Sequence, residues 1–172
     1  MELKAKKSIS YFAFGSNLSS KRLLQRLPDA ELGSVAILRG HRLCFRKNIQ
    51  GESGKCDIAL SDNPQDLVYG IVYLLNESEK RILDGYETGG FGYLDKPVEV
   101  FTLAGDALQA VTYYAATDHG MQPPFHWYKQ HVLQGAIEQG FPGSYIDAIA
   151  AVSSVEDTDH ARSKREMAIH QP

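Results

Sequence analysis

Two short stretches carry residue types whose placement could do chemistry. In LDGYETGGFGY, Glu87 ends a helix-patterned segment and stands between Tyr86 and the run Gly89-Gly90-Phe91. A carboxyl at a helix C-terminus meets the negative end of the helix dipole, and aromatic neighbours reduce its hydration. Both effects disfavour the carboxylate and predict a pKa above the ~4.3 of a free glutamate, which suits a group that accepts and returns a proton. Alone, the residue reads first as a solvated helix end, the commoner fate of such glutamates. The second stretch is Gly15-Ser16-Asn17, where the apolar run YFAF stops just before a helical pattern. Backbone amides freed there, with the Ser16 and Asn17 side chains and the start of a helix, could cradle a carboxylate or a phosphate. The plainer option is a strand-ending turn with a polar cap.

Other reactive types point nowhere specific. Ser16 lacks the Gly-x-Ser-x-Gly setting of a triad nucleophile. Tyr128, in PFHWYKQ, reads as a packing aromatic, with a ligand-facing hydroxyl as the second option, and His126 and His131 read as helix-surface or packing residues. The histidines and the two cysteines, Cys44 and Cys56, lack zinc-ligand spacing, so no metal is expected. The loop GESGK lacks the first glycine and the Ser or Thr of a nucleotide-binding loop and reads as a hairpin connection.

The elements that must position these residues follow from periodicity. Ile9 to Phe14 is a buried strand; Leu23, Leu24 and Leu27 form one stripe on a short helix that Pro28 ends. Ser34 to Lys47 reads as one long strand with a bulge at Gly40, followed by the strands CDIALSD and Val68 to Leu75. Asn76 and Glu79 form a capping pair for the helix ESEKRILDGYE, with Ile82, Leu83 and Tyr86 on one face and Thr88-Gly89-Gly90 as its stop. Tyr93 to Leu103 and Gln109 to Ala116 are strands joined in a hairpin at Ala104-Gly105-Asp106. Helices follow at Trp127 to Gln139 and Tyr145 to Val152, and a polar tail from Ser153 is expected to fray or pack weakly. The class is α+β with a mixed sheet that can close into a barrel, in one domain over residues 1–172, its core at about 8–152 and the tail at 153–172.

Composition narrows the function classes. Of the 172 residues, 43% are hydrophobic and 23% charged, which is globular rather than disordered. A net charge of −3 argues against a nucleic-acid backbone as partner, and no apolar run approaches the ~20 residues of a membrane span. A cytoplasmic protein with reduced cysteines is expected.

Together, YFAFGSNL, LDGYETGGFGY and PPFHWYKQHVLQGA resemble the γ-glutamylcyclotransferase family, also called AIG2-like, over about Ser8 to Val152. The resemblance implies a small mixed β-barrel flanked by helices. It also implies a cyclising acyltransferase or lyase, without metal or cofactor, that releases 5-oxoproline and a free amino acid or amine from a small γ-glutamyl substrate. In that frame Glu87 of Leu-Asp-Gly-Tyr-Glu is the general acid and base. Tyr11, Phe12, Ala13, Phe14, Gly15, Ser16 and Asn17 form the loop that holds the γ-glutamyl part, and Tyr93 and Tyr128 complete the substrate site. Phe14 stands where many members carry tyrosine, which bears on substrate choice. The loop AFGSNL differs from the Gly-Tyr-Gly-Ser-Leu of the glutathione-specific branch. Open alternatives are a γ-glutamylamine substrate and an idle ligand-binding module of the same fold; a homodimer is compatible with either.

Overall fold

The computed structural model describes residues 6–49, 51–88 and 92–172. Strand β1 (Ile9–Ala13) leads through a 3-10 turn (Ser16–Leu18) into helix α1 (Ser20–Arg26), with the Ser19 hydroxyl accepting the Arg22 amide as N-cap. The remaining elements are β2 (Glu31–Arg39), β3 (His41–Lys47), β4 (Gly54–Leu60), β5 (Leu67–Leu75), α2 (Glu77–Glu87), β6 (Tyr93–Thr102), β7 (Ala107–Ala115), α3 (His126–Glu138), α4 (Gly143–Ala150) and α5 (His160–Ala168). The barrel order is β1-β5-β2-β6-β7, closed by a parallel pairing of β1 with β7 at Tyr11 and Val111. The expected mixed barrel flanked by helices is present.

Local sequence explains most of this. The capping box forms as read: the Asn76 side chain accepts the Glu79 amide at 2.9 Å, and the Glu79 carboxylate accepts the Asn76 amide at 2.7 Å, a device worth about 1 kcal/mol to a helix start. The hairpin between β6 and β7 pairs Tyr93 with Ala115 through to Phe101 with Ala107. The core runs through the barrel and under the helices, with Phe12, Leu23, Ile71, Tyr73, Leu83 and Val132 fully buried.

Three expectations change. Gly40 is a corner and not a bulge: it adopts φ 69°, a left-handed conformation that glycine takes without steric cost. The segment Ser34 to Lys47 therefore splits, β2 pairing with β5 and β6 in the barrel while β3 pairs with β4 in a separate two-stranded sheet. The irregularity in β2 instead falls between Leu32 and Val35. The helix stripes are also narrower than read. Leu23 and Leu27 face the core while Leu24 is exposed, and on α2 Leu83 is buried while Ile82 and Tyr86 are exposed. Finally, the tail does not fray. Asp159 caps α5, Arg162 pairs with Asp157 at 2.6 Å, and Glu166 pairs with Arg22 of α1 at 2.7 Å. The stop read at Gly89-Gly90 lies outside the described residues, and α2 ends at Glu87 with Thr88 as its cap.

Candidate active site

The first strand, the end of α2, β4, α3 and α5 meet around a cavity of about 330 Å³. Its wall includes Tyr11, Phe14, Gly15, Ser16, Asn17, Glu87, Tyr93 and Tyr128, so the motifs singled out in the sequence converge although up to 117 residues separate them. Phe12 and Ala13 are the exceptions among the expected site residues. Both are buried but off the cavity wall: the Phe12 ring lies against Gly70, and the Phe12 carbonyl accepts the Thr112 hydroxyl at 2.7 Å. They belong to the barrel strand that carries the loop and pack in its core.

A hydrogen-bonded chain links the two stretches. The Asn17 Nδ2 donates to Glu87 Oε1 at 3.2 Å and to the Tyr11 hydroxyl at 3.1 Å, while the Tyr73 hydroxyl donates to the Asn17 carbonyl at 2.9 Å. Tyr11 is wedged between the rings of Tyr73 and Tyr113, at centroid separations of 6.2 and 5.7 Å. Asn17 Oδ1 is buried and has no hydrogen-bond partner among the described residues. The 3-10 turn begins its internal bonding with Leu18 N–H to the Gly15 carbonyl at 3.0 Å, so the amides of Gly15 to Asn17 precede it. Gly15 is required by proximity: a Cβ there would sit 2.9 Å from Cys56 Cβ.

Opposing effects act on Glu87. Burial is the largest and pushes its carboxyl above the usual range, whereas Arg26, Arg22, the Asn17 hydrogen bond and Lys55 pull it down. Its position at a helix end was legible in sequence, where burial competed with a solvated end; the three cations were not, because Arg22 and Arg26 of α1 lie outside the motifs and Lys55 closes the GESGK loop, which reads as a plain hairpin connection. Tyr128, buried on α3, accepts the Cys56 amide at 3.0 Å, and the Tyr93 hydroxyl donates to the Cys56 carbonyl at 3.4 Å. Burial raises the pKa of Tyr11, Tyr93 and Tyr128, so these hydroxyls remain neutral donors and acceptors. His131, expected as an ordinary packing residue, is fully buried, with Nε2 2.9 Å from Glu166 and Nδ1 2.6 Å from His170.

A model of the AIG2-like family matches residues 67–149. Human γ-glutamylcyclotransferase is 34% identical over 150 residues, covering 84% of this chain and 79% of that relative. The chain belongs to the γ-glutamylcyclotransferase family. The mouse γ-glutamylcyclotransferase is 33% identical over 151 residues, covering 85% of this chain and 79% of the relative. A solved γ-glutamyl cyclotransferase superposes with a TM-score of 0.78 at 30% identity, over 91% of this chain and 98% of its own. Membership in the γ-glutamylcyclotransferase family agrees with the barrel and with the resemblance of the three motifs. Among the described residues no helix is long and apolar enough to cross a membrane.

Proposed function

We propose that the protein is a cyclotransferase that converts a small γ-glutamyl compound into 5-oxoproline and a free amino acid or amine, with Glu87 as its proton-transfer group. The observation that carries this reading is the Asn17 bridge, which ties Glu87 to the Tyr11–Asn17 segment inside one cavity. Membership of an enzyme family speaks against an idle binding module.

The reaction asks little of the protein beyond geometry and protons. The substrate's α-amine attacks its own γ-carbonyl carbon; the new C–N bond closes a five-membered lactam, and the bond to the leaving nitrogen breaks. Because the attack is intramolecular, holding the chain folded supplies several kcal/mol of the barrier reduction. Glu87 accepts the proton of the attacking amine and delivers one to the leaving nitrogen. Its raised pKa narrows the gap to an α-amino group at ~7.7–8.0, which makes both transfers feasible near neutrality. The unpartnered Asn17 Oδ1 is an acceptor suited to an amine N–H, and the amides of Gly15 to Asn17 suit the glutamyl carboxylate or the oxyanion. Tyr93 and Tyr128 bound the site as neutral walls. A cytoplasmic setting belongs to the same reading and is supported by Cys44 and Cys56, which remain free thiols.

The test is release of 5-oxoproline from a panel of γ-glutamyl amino acids and amines. Glu87→Gln is expected to bind substrate while losing roughly 10²- to 10⁴-fold in kcat, the usual span for a positioned acid–base group. Parental turnover by Glu87→Gln, or no lactam from any panel member, overturns the assignment.

A further inference from the structure

Arg22 of α1 is buried, and it lines the cavity that holds Glu87. Its Nη1 donates to Glu166 Oε2 of α5 at 2.7 Å, while its Nε is buried with no partner among the described residues. Glu166 is fixed from a second side. His131 Nε2 lies 2.9 Å from the same oxygen, and His131 Nδ1 lies 2.6 Å from His170 Nε2. The His131 hydrogen bond and Arg22 hold the Glu166 carboxyl at about 2, so it is ionised, whereas burial keeps His131 neutral. A carboxylate only accepts; His131 therefore carries its proton on Nε2, and His170 Nε2 donates to the bare Nδ1. The donors run from His170 through His131 to Glu166, where they meet Arg22 coming from the cavity.

Glu87 stands in a different relation to the same guanidinium. Its carboxyl accepts from Asn17 and makes no ion pair among the described residues, although Arg22 pulls on it, second among the cations to Arg26. Among the described residues the cavity wall carries two carboxylates, Glu52 and Glu87, and Arg162 already holds Glu52 at 3.1 Å. A buried guanidinium stripped of its counter-charge is costly, so an Arg22 released by Glu166 would turn to Glu87. Bound there, it would keep the carboxylate ionised and make it a poor acceptor for the proton of the attacking amine. We infer that Glu166 is a positioning residue of the cyclisation site: by holding Arg22 toward α5 it prevents a direct Arg22–Glu87 pair and leaves the Glu87 carboxyl free to exchange protons. The inference rests on the reading of Glu87 as the proton-transfer group.

The charged groups that face Glu87 are Arg26 and Arg22 from α1 and Lys55 from β4. The phenols of Tyr11, Tyr93, Tyr113 and Tyr128 face it from β1, β6, β7 and α3, and burial keeps them neutral. Burial, with Arg22 and Arg162, holds Lys55 at about 8, so it is cationic throughout the acid range, as are the arginines. Burial also lowers His131 and His170, which therefore titrate on the acid side beside Glu166. The readout must for that reason be the Glu87 carboxyl itself and not activity alone.

The experiment titrates protein labelled with carbon-13 at its glutamate carboxyls, followed by NMR, the Glu87 resonance being the one absent from Glu87→Gln; the acid limb of kcat/KM for 5-oxoproline release is measured in parallel. In Glu166→Gln both are expected to move to lower pH by roughly one pH unit or more, the effect of a paired guanidinium on a carboxyl. Glu166→Asp, one methylene shorter, should show part of that movement, and it carries the same test if Glu166→Gln does not fold. Arg22→Met should move both to higher pH. The double variant Arg22→Met/Glu166→Met strands no buried charge and should titrate at or above the parental position. Unmoved titrations in the folded Glu166 variants, even with activity lost, mark a merely structural role and overturn the inference, as does a downward movement that persists once Arg22 is gone. Should the Glu87 resonance move as expected in a protein whose parent releases no 5-oxoproline, the restraint on Arg22 stands and the cyclotransferase reading falls.

Discussion

Replacing Gly135 by alanine tests how the loop that carries Asn17 is held. Gly135 lies on α3 against the 3-10 turn, and a Cβ there would approach Ser19 N to 2.4 Å and both Leu18 C and Cβ to 2.5 Å. Non-bonded carbons settle at about 3.5–4.0 Å, so the turn or the helix must retreat by roughly 1 Å. The neighbouring Asn17 amide holds Tyr11 and Glu87 at 3.1 and 3.2 Å, and a shift of that size breaks both contacts. A misplacement of ~1 Å can cost on the order of 100-fold in rate, so kcat/KM for 5-oxoproline release should fall by about that factor. Overpacking costs typically ~1–3 kcal/mol, partly offset by the better helix propensity of alanine. The melting temperature should therefore drop by only a few degrees. Gly85→Ala is the control. It lies on the same helix as Glu87, and its added Cβ meets nothing within 4 Å. It should gain up to ~1 kcal/mol and keep activity within about twofold. A folded Gly135→Ala protein with parental kcat/KM would refute the claim that this packing positions Asn17.

Two further outcomes follow from buried polar groups. Tyr128→Phe strips the Cys56 amide of its acceptor; a loss of about 1–3 kcal/mol in stability and a rise in KM with less than a tenfold fall in kcat are expected, read by denaturant melts and steady-state kinetics. Burial holds His131 near a pKa of about 4, below the ~6.5 of an unfolded histidine. The unfolded chain thus binds more protons as pH falls from 6.5 to 4, and roughly 3 kcal/mol of stability should disappear over that window, with His131→Gln flattening the profile. Below it the Glu166 carboxyl, held at about 2 by His131 and Arg22, should add a further acid loss as it protonates. A melt series that stays level from pH 7 to 4 would contradict the assignment of neutral, buried His131.

Elements whose signals are local were legible in the sequence. The Asn76–Glu79 capping box, the β6–β7 hairpin and the apolar run of β5 depend on residues a few positions apart, and each forms where it was read. Gly40 was legible as a break but not as a kind of break, because a bulge and a corner both favour glycine; tertiary pairing of β3 with β4 decides between them. Helix α5 has no buried residues and is held by ion pairs across long sequence separations. Its composition therefore gave no sign of a docked helix. For the site, Glu87 and Gly15 to Asn17 were visible through position at element ends. Lys55, Arg22 and Arg162 were not, since an isolated cation in a sequence looks the same on an open surface as in a cavity. Phe12 and Ala13 show the converse limit, in that a contiguous motif mixes residues that line the cavity with residues that pack in the barrel.

Arg162 lies on α5, and Glu166 of the same helix anchors Arg22, so part of the cavity's positive rim depends on a helix that never touches Glu87 through a hydrogen bond. Through Arg22, which pulls on the Glu87 carboxyl, the last helix thereby reaches the electrostatic setting of that carboxyl from the far end of the chain. Substitutions confined to the last helix therefore change the charge at the cavity rim and the setting of Glu87 together, so that a lineage altering its diet there adjusts its catalyst as well.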